Sequence, residues 1–145
     1  MGKFLTMYGI EVSINTSSSS SESYTELGEG IENMSEALNE VVYSGYWMSN
    51  EGFGNSEVTA MQPVVTMTWK RILGDAAQDY IFGLKYKLGE ERKTSLKVTC
   101  LEATGSKTYT VPVTVANIQE YSGNTQDGSS ISFELRFNGK PTTSA

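Results

Sequence analysis

Residues Ser130 to Phe137 read SISFELRF, an alternation without a break. Ile131, Phe133, Leu135 and Phe137 fall on one side of an extended chain; Ser130, Ser132, Glu134 and Arg136 fall on the other. Successive side chains of a strand point to opposite faces, so this spacing predicts a strand with one buried and one wet face. Two upstream segments follow the same rule. Thr94 to Glu102 aligns Leu96, Val98 and Cys100, and Thr108 to Gln119 aligns Tyr109, Val111, Val113 and Val115. Gly105 marks the turn between these two, and Asn124 to Gly128 the turn before the last strand.

Toward the N-terminus the same reading continues. Tyr8 to Asn15 (YGIEVSIN) aligns Ile10, Val12 and Ile14 and is a short strand. Thr16 to Ser23, with serines at 17 to 21, has no apolar area to bury and reads as a mobile loop. Residues 1–38 thus form an N-terminal strand and loop; Tyr24 to Glu40 reads as loop or a single helical turn. Asn39 to Met48 and Glu57 to Trp69 are rich in β-branched and aromatic residues and are predicted as the two strands of a long hairpin. Ser49 to Ser56, with Gly52 and Gly54 around Phe53, forms its tip. Pro63 has no N–H and requires an edge or a bulge.

One helix is expected, Asp75 to Tyr86. Asp75 is a suitable N-cap, and Gln78 sits three residues on, as in a capping box. Ala76, Tyr80 and Leu84, flanked by Ala77 and Ile81, make an apolar stripe that would pack on the sheet, with Gln78, Asp79 and Lys85 elsewhere. The tail, 139–145, is polar and expected to fray. Strands, one helix, then strands define a mostly-β (α+β) sandwich or barrel with a flanking helix, in one domain spanning 1–145.

Composition narrows function more than it names it. The 145 residues carry 17 acidic and 11 basic side chains, a net charge of −6. That balance argues against ordinary nucleic-acid binding, yet suits a passage to which DNA must not adhere. Histidine is absent and Cys100 is the single cysteine, so His-based acid–base catalysis, an internal disulfide and a cysteine zinc site are all excluded. Cys100 is expected to be a small buried hydrophobe. No apolar run has the length of a signal peptide core or a membrane-spanning helix. Nucleotide-binding glycine motifs are missing, and Gly52-Phe53-Gly54 is only a turn. The acidic pairs Glu90/Glu91 and Glu26/Glu29 read as solvated surface, and 124–127 lacks EF-hand spacing. The expectation is a non-enzymatic protein without cofactors or metals.

Trp47 and Trp69 have two readings. Both pack in the core, or the hairpin projects and its aromatics bury only in a neighbouring molecule. Met48 to Phe53 at the tip has the composition of an interface patch.

From Asn39 to Lys87 the wording resembles the major tail tube proteins of tailed bacteriophages, in particular the small ones of phages of Gram-positive hosts. The resemblance rests on the strand into Gly52-Phe53-Gly54, the Val/Thr strand from Glu57, the junction Trp69-Lys70-Arg71 and the helix opening Gly74-Asp75-Ala76-Ala77-Gln78-Asp79-Tyr80. It implies hexameric rings stacked into a hollow tube in the virion, made in the host bacterial cytoplasm, through which DNA passes at ejection without specific binding. Tape measure, terminator and distal tail proteins are the implied partners, with no membrane insertion. The hairpin would contact the next ring through Trp47, Met48, Ser49, Asn50, Glu51, Gly52, Phe53, Gly54, Asn55 and Ser56, while Glu40 and Glu57 are candidates for the lumen. Two alternatives stand beside it. One is a monomeric carbohydrate-binding sandwich stacking sugars on Tyr43, Tyr46 and Trp47; the other is the tube of a contractile tail, a tailocin or a type VI secretion machine.

Overall fold

The computed structural model describes residues 4–17, 21–28 and 31–144. Its strands are β1 (Ile10–Asn15), β2 (Tyr24–Glu26), β3 (Ile31–Ala37), β4 (Glu40–Tyr46), β5 (Gly54–Met61), β6 (Val64–Lys70), β7 (Lys93–Leu101), β8 (Ser106–Gln119), β9 (Ser130–Phe137) and β10 (Thr142–Ser144). One helix, α1 (Ala76–Gly83), follows β6. Among the described residues, eight strands form one antiparallel sheet in the order β2-β1-β7-β8-β9-β6-β3, with β10 beside β8, and β4 and β5 pair only with each other. The sheet curls, so that Glu26 of β2 and Met34 of β3, from its two extremes, line one cavity. The expected mostly-β architecture with a flanking helix is the one observed.

Register builds the core. Val115, Leu135 and Val65 lie side by side across β8, β9 and β6, as do Phe133 and Met67 one step along. Ile14 faces Leu96, which faces Val111. All eight are buried, so the inner face is one continuous apolar surface. A one-residue slip of any strand would turn its whole apolar set to water. On the outer face the same register sets Ser35, Thr66, Glu134 and Ala116 in one row, and Asn33, Thr68, Ser132 and Gln119 in the next.

Several expectations are corrected. Residues 24–40 are not loop or a helical turn but contain β2 and β3; β3 covers the edge of β6 over Ala37↔Val64 to Asn33↔Thr68. Over Asn33 to Ala37 (NMSEA) it buries only Met34, and that in part, so the alternation is too weak to register. The strand expected over Glu57 to Trp69 is two strands, broken at Gln62 and Pro63. The Pro63 carbonyl accepts from the Phe137 amide at 2.9 Å, and its nitrogen has nothing to donate, so the ladder stops there. The tail does not simply fray: Thr142–Ser144 pairs with Thr110–Thr108. Pro112 explains the gap before it. Its carbonyl accepts from the Asn138 amide (2.8 Å), so its hydrogen-free nitrogen faces the same neighbour, and regular β8–β9 pairing ends at Val113↔Phe137. Residues 18–20 of the serine run, Glu29 and Ala145 lie outside the described residues.

The helix also differs. Asp75 does cap it, accepting from the Gln78 amide at 3.1 Å. Its buried face, however, is Ala77, Gln78, Ile81 and Phe82, with Leu84 after it, while Ala76 is exposed. Gln78, expected off the apolar stripe, is fully buried because it completes the end of β6. Its Oε1 accepts from the Ile72 amide (2.9 Å) and its Nε2 donates to the Lys70 carbonyl (3.1 Å). Burial without those partners would leave orphaned backbone groups. Cys100 is half-buried rather than buried, near the end of β7, where burial raises its thiol pKa.

Phe133 joins sheet and helix, edge-to-face with Trp69 at 5.1 Å and with Phe82 at 6.4 Å. Phe133→Ala should cost about 3–5 kcal/mol, as large-to-small core changes do. Urea unfolding followed by tryptophan fluorescence measures it; an unshifted midpoint would contradict this packing.

Candidate functional site: the arm and the two ends of the sheet

Antiparallel connectivity gives the sheet two distinct ends. At one end meet the C-termini of β3, β7 and β9 and the N-termini of β1, β6 and β8; β4 and β5 leave from here as an arm. At the other meet the N-termini of β7 and β9 and the C-termini of β1, β6 and β8; α1 and the β8–β9 loop lie here. These are called the arm end and the helix end.

The arm is a two-stranded ribbon exposed along nearly its whole length. Pairing runs from Glu40↔Met61 to Tyr46↔Gly54, with Thr59 as the extra residue of a bulge. Val42, Ser44 and Tyr46 share one face with Val58, Ser56 and Gly54; Tyr43 and Gly45 share the other with Glu57 and Asn55. Tyr46 lies over Gly54, where an added Cβ would meet its ring at 3.1 Å. The tip is a single 3-10 turn, Met48–Asn50, closed by the Phe53 amide donating to the Asn50 carbonyl (2.9 Å). Glu51 and Gly52 take the left-handed backbone this turn needs, at φ 53° and 87°. Met48 is 99% exposed and Phe53 76%. The two tryptophans part company: Trp69 is in the core and Trp47 is 53% exposed on the arm. Glu40, at the arm's root, and Glu57, opposite Tyr43, are both exposed.

The arrangement works against a sugar platform. Tyr43 and Trp47 flank Gly45, whereas Tyr46 belongs to the opposite face, so the three rings do not form one surface.

At the helix end, Arg71 fastens α1 to the sheet. Its guanidinium donates to Glu120 (3.2 Å), Asp79 (2.9 Å) and the Ile72 carbonyl (2.9 Å), and lies 4.9 Å from the Phe82 ring centre. Lys85 Nζ donates to the other Glu120 oxygen at 2.7 Å and stands near the rings of Tyr86 and Tyr121. Arg92 holds the following loop by donating to the carbonyls of Lys85, Lys87 and Val115.

Placed on this frame, the exposed large apolar side chains sort themselves. Phe4, Leu5, Met7, Tyr8, Leu38 and Leu101 crowd the arm end; the arm adds its own; and Leu73, Tyr86, Leu88 and Tyr121 stand at the helix end. Among the described residues, none sits on the outer face of the sheet between the ends. An open groove of about 500 Å³, lined by Met34, Leu38, Met61, Cys100 and Phe137 among others, also lies at the arm end. Charge is divided along the chain as well. No Lys or Arg occurs between Lys3 and Lys70, a span with nine glutamates.

The helix-end apolar residues escape a periodicity reading because they fall in loops, off any stripe. The charge division, by contrast, is plain in the sequence.

No family model and no curated protein matches this chain. Among solved structures it is similar to a chain in the tail of an empty gene transfer agent particle, obtained by helical refinement with C6 symmetry. The TM-score is 0.72 with 11% identity, over 97% of this chain and 98% of that one. A chain in the virion of a native gene transfer agent particle is similar at TM-score 0.70 and 10% identity, again over 97% and 98%. At such identity the likeness extends to the fold, and it covers both chains almost end to end.

Hydrogen bonding from Lys85, and then from Arg71, holds the Glu120 carboxyl below the usual carboxylate range. A depressed folded-state pKa gives stability that is present above the unfolded value and is lost as pH falls through the folded one. Glu120→Gln should therefore lower stability at neutral pH, change it little at acid pH, and so flatten the acid side of the stability–pH curve, as thermal unfolding from acid to neutral pH would reveal.

Proposed function

We propose that this chain is a tail tube subunit of a phage-like particle, stacking end to end in rings to form the conduit for DNA. The carrying observation is the partition of exposed apolar surface to the arm and the two ends, with polar flanks between. A soluble monomer rarely exposes so much apolar surface in one place. A two-stranded ribbon is marginal by itself in water, so an arm of this length suits burial against a second molecule. Similarity to chains of assembled tail and virion particles supports the same reading.

Within it, β2 and β3 are open sheet edges, available to pair between neighbours in a six-membered ring. The arm, Trp47 to Ser56 at its tip, reaches the next ring, and Glu40 and Glu57 add negative charge at the seam facing the passage. DNA would slide past a surface with little to hold it. Tape measure, terminator and distal tail proteins would meet the tube inside and at its ends, within the virion. The wording of 39–87 suits the small tube proteins of phages of Gram-positive hosts, and the role is structural rather than enzymatic.

Phe53→Asp should leave the subunit folded, with its melting temperature within about 2 °C of the parent, since surface changes usually stay within about 0.5 kcal/mol. It should abolish tubes in negative-stain electron microscopy over a concentration series in which the parent forms them. Normal tubes from the variant would remove the tip from the ring contact. A parent that never assembles, even with tail-initiating components present, would overturn the tube.

A further inference from the structure

We propose that Asn138–Gly139 is a self-modifying site: Asn138 converts to isoaspartate without an enzyme, and the conversion releases β10 from β8. The inference is independent of the tube reading. Asparagine is thermolabile because the amide nitrogen of the next residue can attack its side-chain carbonyl carbon. Glycine in that next place removes the Cβ that would hinder the approach. Of the eight asparagines, only Asn138 precedes a glycine.

The structure leaves this pair free to react. It lies just beyond the end of β9, and both residues are exposed. Among the described residues, the Gly139 amide donates to no partner. Asn138 Nδ2 donates to Thr114 Oγ1 at 2.6 Å, a solvent-exposed bond of the kind that opens readily. Two other asparagines show the contrast. Asn15 Oδ1 is locked by the Ser17 and Ser23 amides at 3.0 and 3.1 Å. Asn117 precedes the branched Ile118 and is tied to Glu134 at 2.8 Å.

The step balances with water as the only co-reactant. The Gly139 nitrogen gives its proton to solvent base and bonds to Asn138 Cγ. The Cγ–Nδ2 bond breaks, and the nitrogen takes up a proton and leaves as ammonia. Water then opens the resulting five-membered imide. Opening at Cγ gives aspartate; opening at the main-chain carbonyl gives isoaspartate, whose chain runs on through Cγ. Nothing is oxidised or reduced.

Register makes the isoaspartate consequential. β9 and β10 lie end to end along one edge of β8, with Phe137 opposite Val113 and Thr142 opposite Thr110. Residues 138–141 thus oppose only Val111 and Pro112, so the join is already a bulge. The Asn138 amide donates to the Pro112 carbonyl, while its side chain turns back to Thr114. In isoaspartate the main chain takes that side-chain path, away from Thr110. β10 has three residues with which to resist the redirection. It lets go, and the Thr108 to Thr110 edge of β8 is left unpaired.

Peptide mapping by mass spectrometry on the full chain, aged warm in mildly alkaline buffer, tests the site, and enzymatic methylation of isoaspartate identifies the product. Asn138 should convert at least about tenfold faster than Asn55 and Asn124 in the same sample, and Gly139→Ala should remove that excess. Alanine fits there, because its Cβ would meet Pro112 at 3.6 Å, an ordinary contact. Deuterium uptake over residues 108–110 and 142–144 should rise several-fold in the aged parent. Asn138→Asp, which carries the charge without the rerouted chain, should keep the parent's protection. Conversion of Asn138 no faster than that of Asn55 overturns the site. Isoaspartate at 138 with unchanged uptake, or equal loss of protection in Asn138→Asp, overturns the release of β10 by a rerouted chain.

Discussion

A strand side chain can face only one of two ways, and in this chain that constraint decides everything else. Val115, Leu135 and Val65 lie in register across three strands, so the inner face is filled from one side of each strand. The opposite side is then wet, and between β3 and β8 it carries Ser, Thr, Asn, Gln and Glu side chains with one alanine, Ala116. With the inner face full and the outer face polar, surplus apolar residues have one kind of place left: the ends and the arm. The distribution that supports assembly is thus a consequence of a well-segregated sheet.

Closure of the core at the helix end depends on polar groups. α1 is short, eight residues, and brings a glutamine into the interior. Gln78 is tolerated there because it replaces hydrogen bonds that the end of β6 would otherwise lack. Arg71 supplies the rest, bridging helix, strand end and Glu120. The same bridge positions Lys85 and the two exposed tyrosines, so core closure and surface patch share one set of interactions.

Legibility followed the strength of the pattern. Strands β7, β8 and β9 have strict alternation and were readable, as was the Asp75 cap. β3 was not, since its apolar residues are few and its place at the edge of β6 is a tertiary matter. By side-chain type Gln78 belongs off the apolar stripe; only the unfinished strand beside it says otherwise. The arm's tip was readable from Gly52 and Gly54, but its detachment from the sheet depends on the break at Pro63, read only as an edge or bulge. Leu73, Tyr86, Leu88 and Tyr121 lie in loops, where no period marks them, and their meaning appears only once the topology sets them opposite the arm.

The two ends of the sheet differ, and that difference has a geometric outcome. A contact between unlike surfaces is heterologous: each copy that binds presents a fresh surface of the same kind to the next. Such a series closes only if its rotation brings the last copy back to the first. In the proposed tube, an arm that leaves one end of the sheet and meets the next ring displaces each copy along the tube axis, so the series stays open. In the same tube, edge pairing between β2 and β3 of neighbouring copies would run across this axis and close as a ring. Two contact types, one across and one along, are what a cylinder requires. Nothing in an open-ended contact limits its length, so the number of rings would have to be set by something outside this chain.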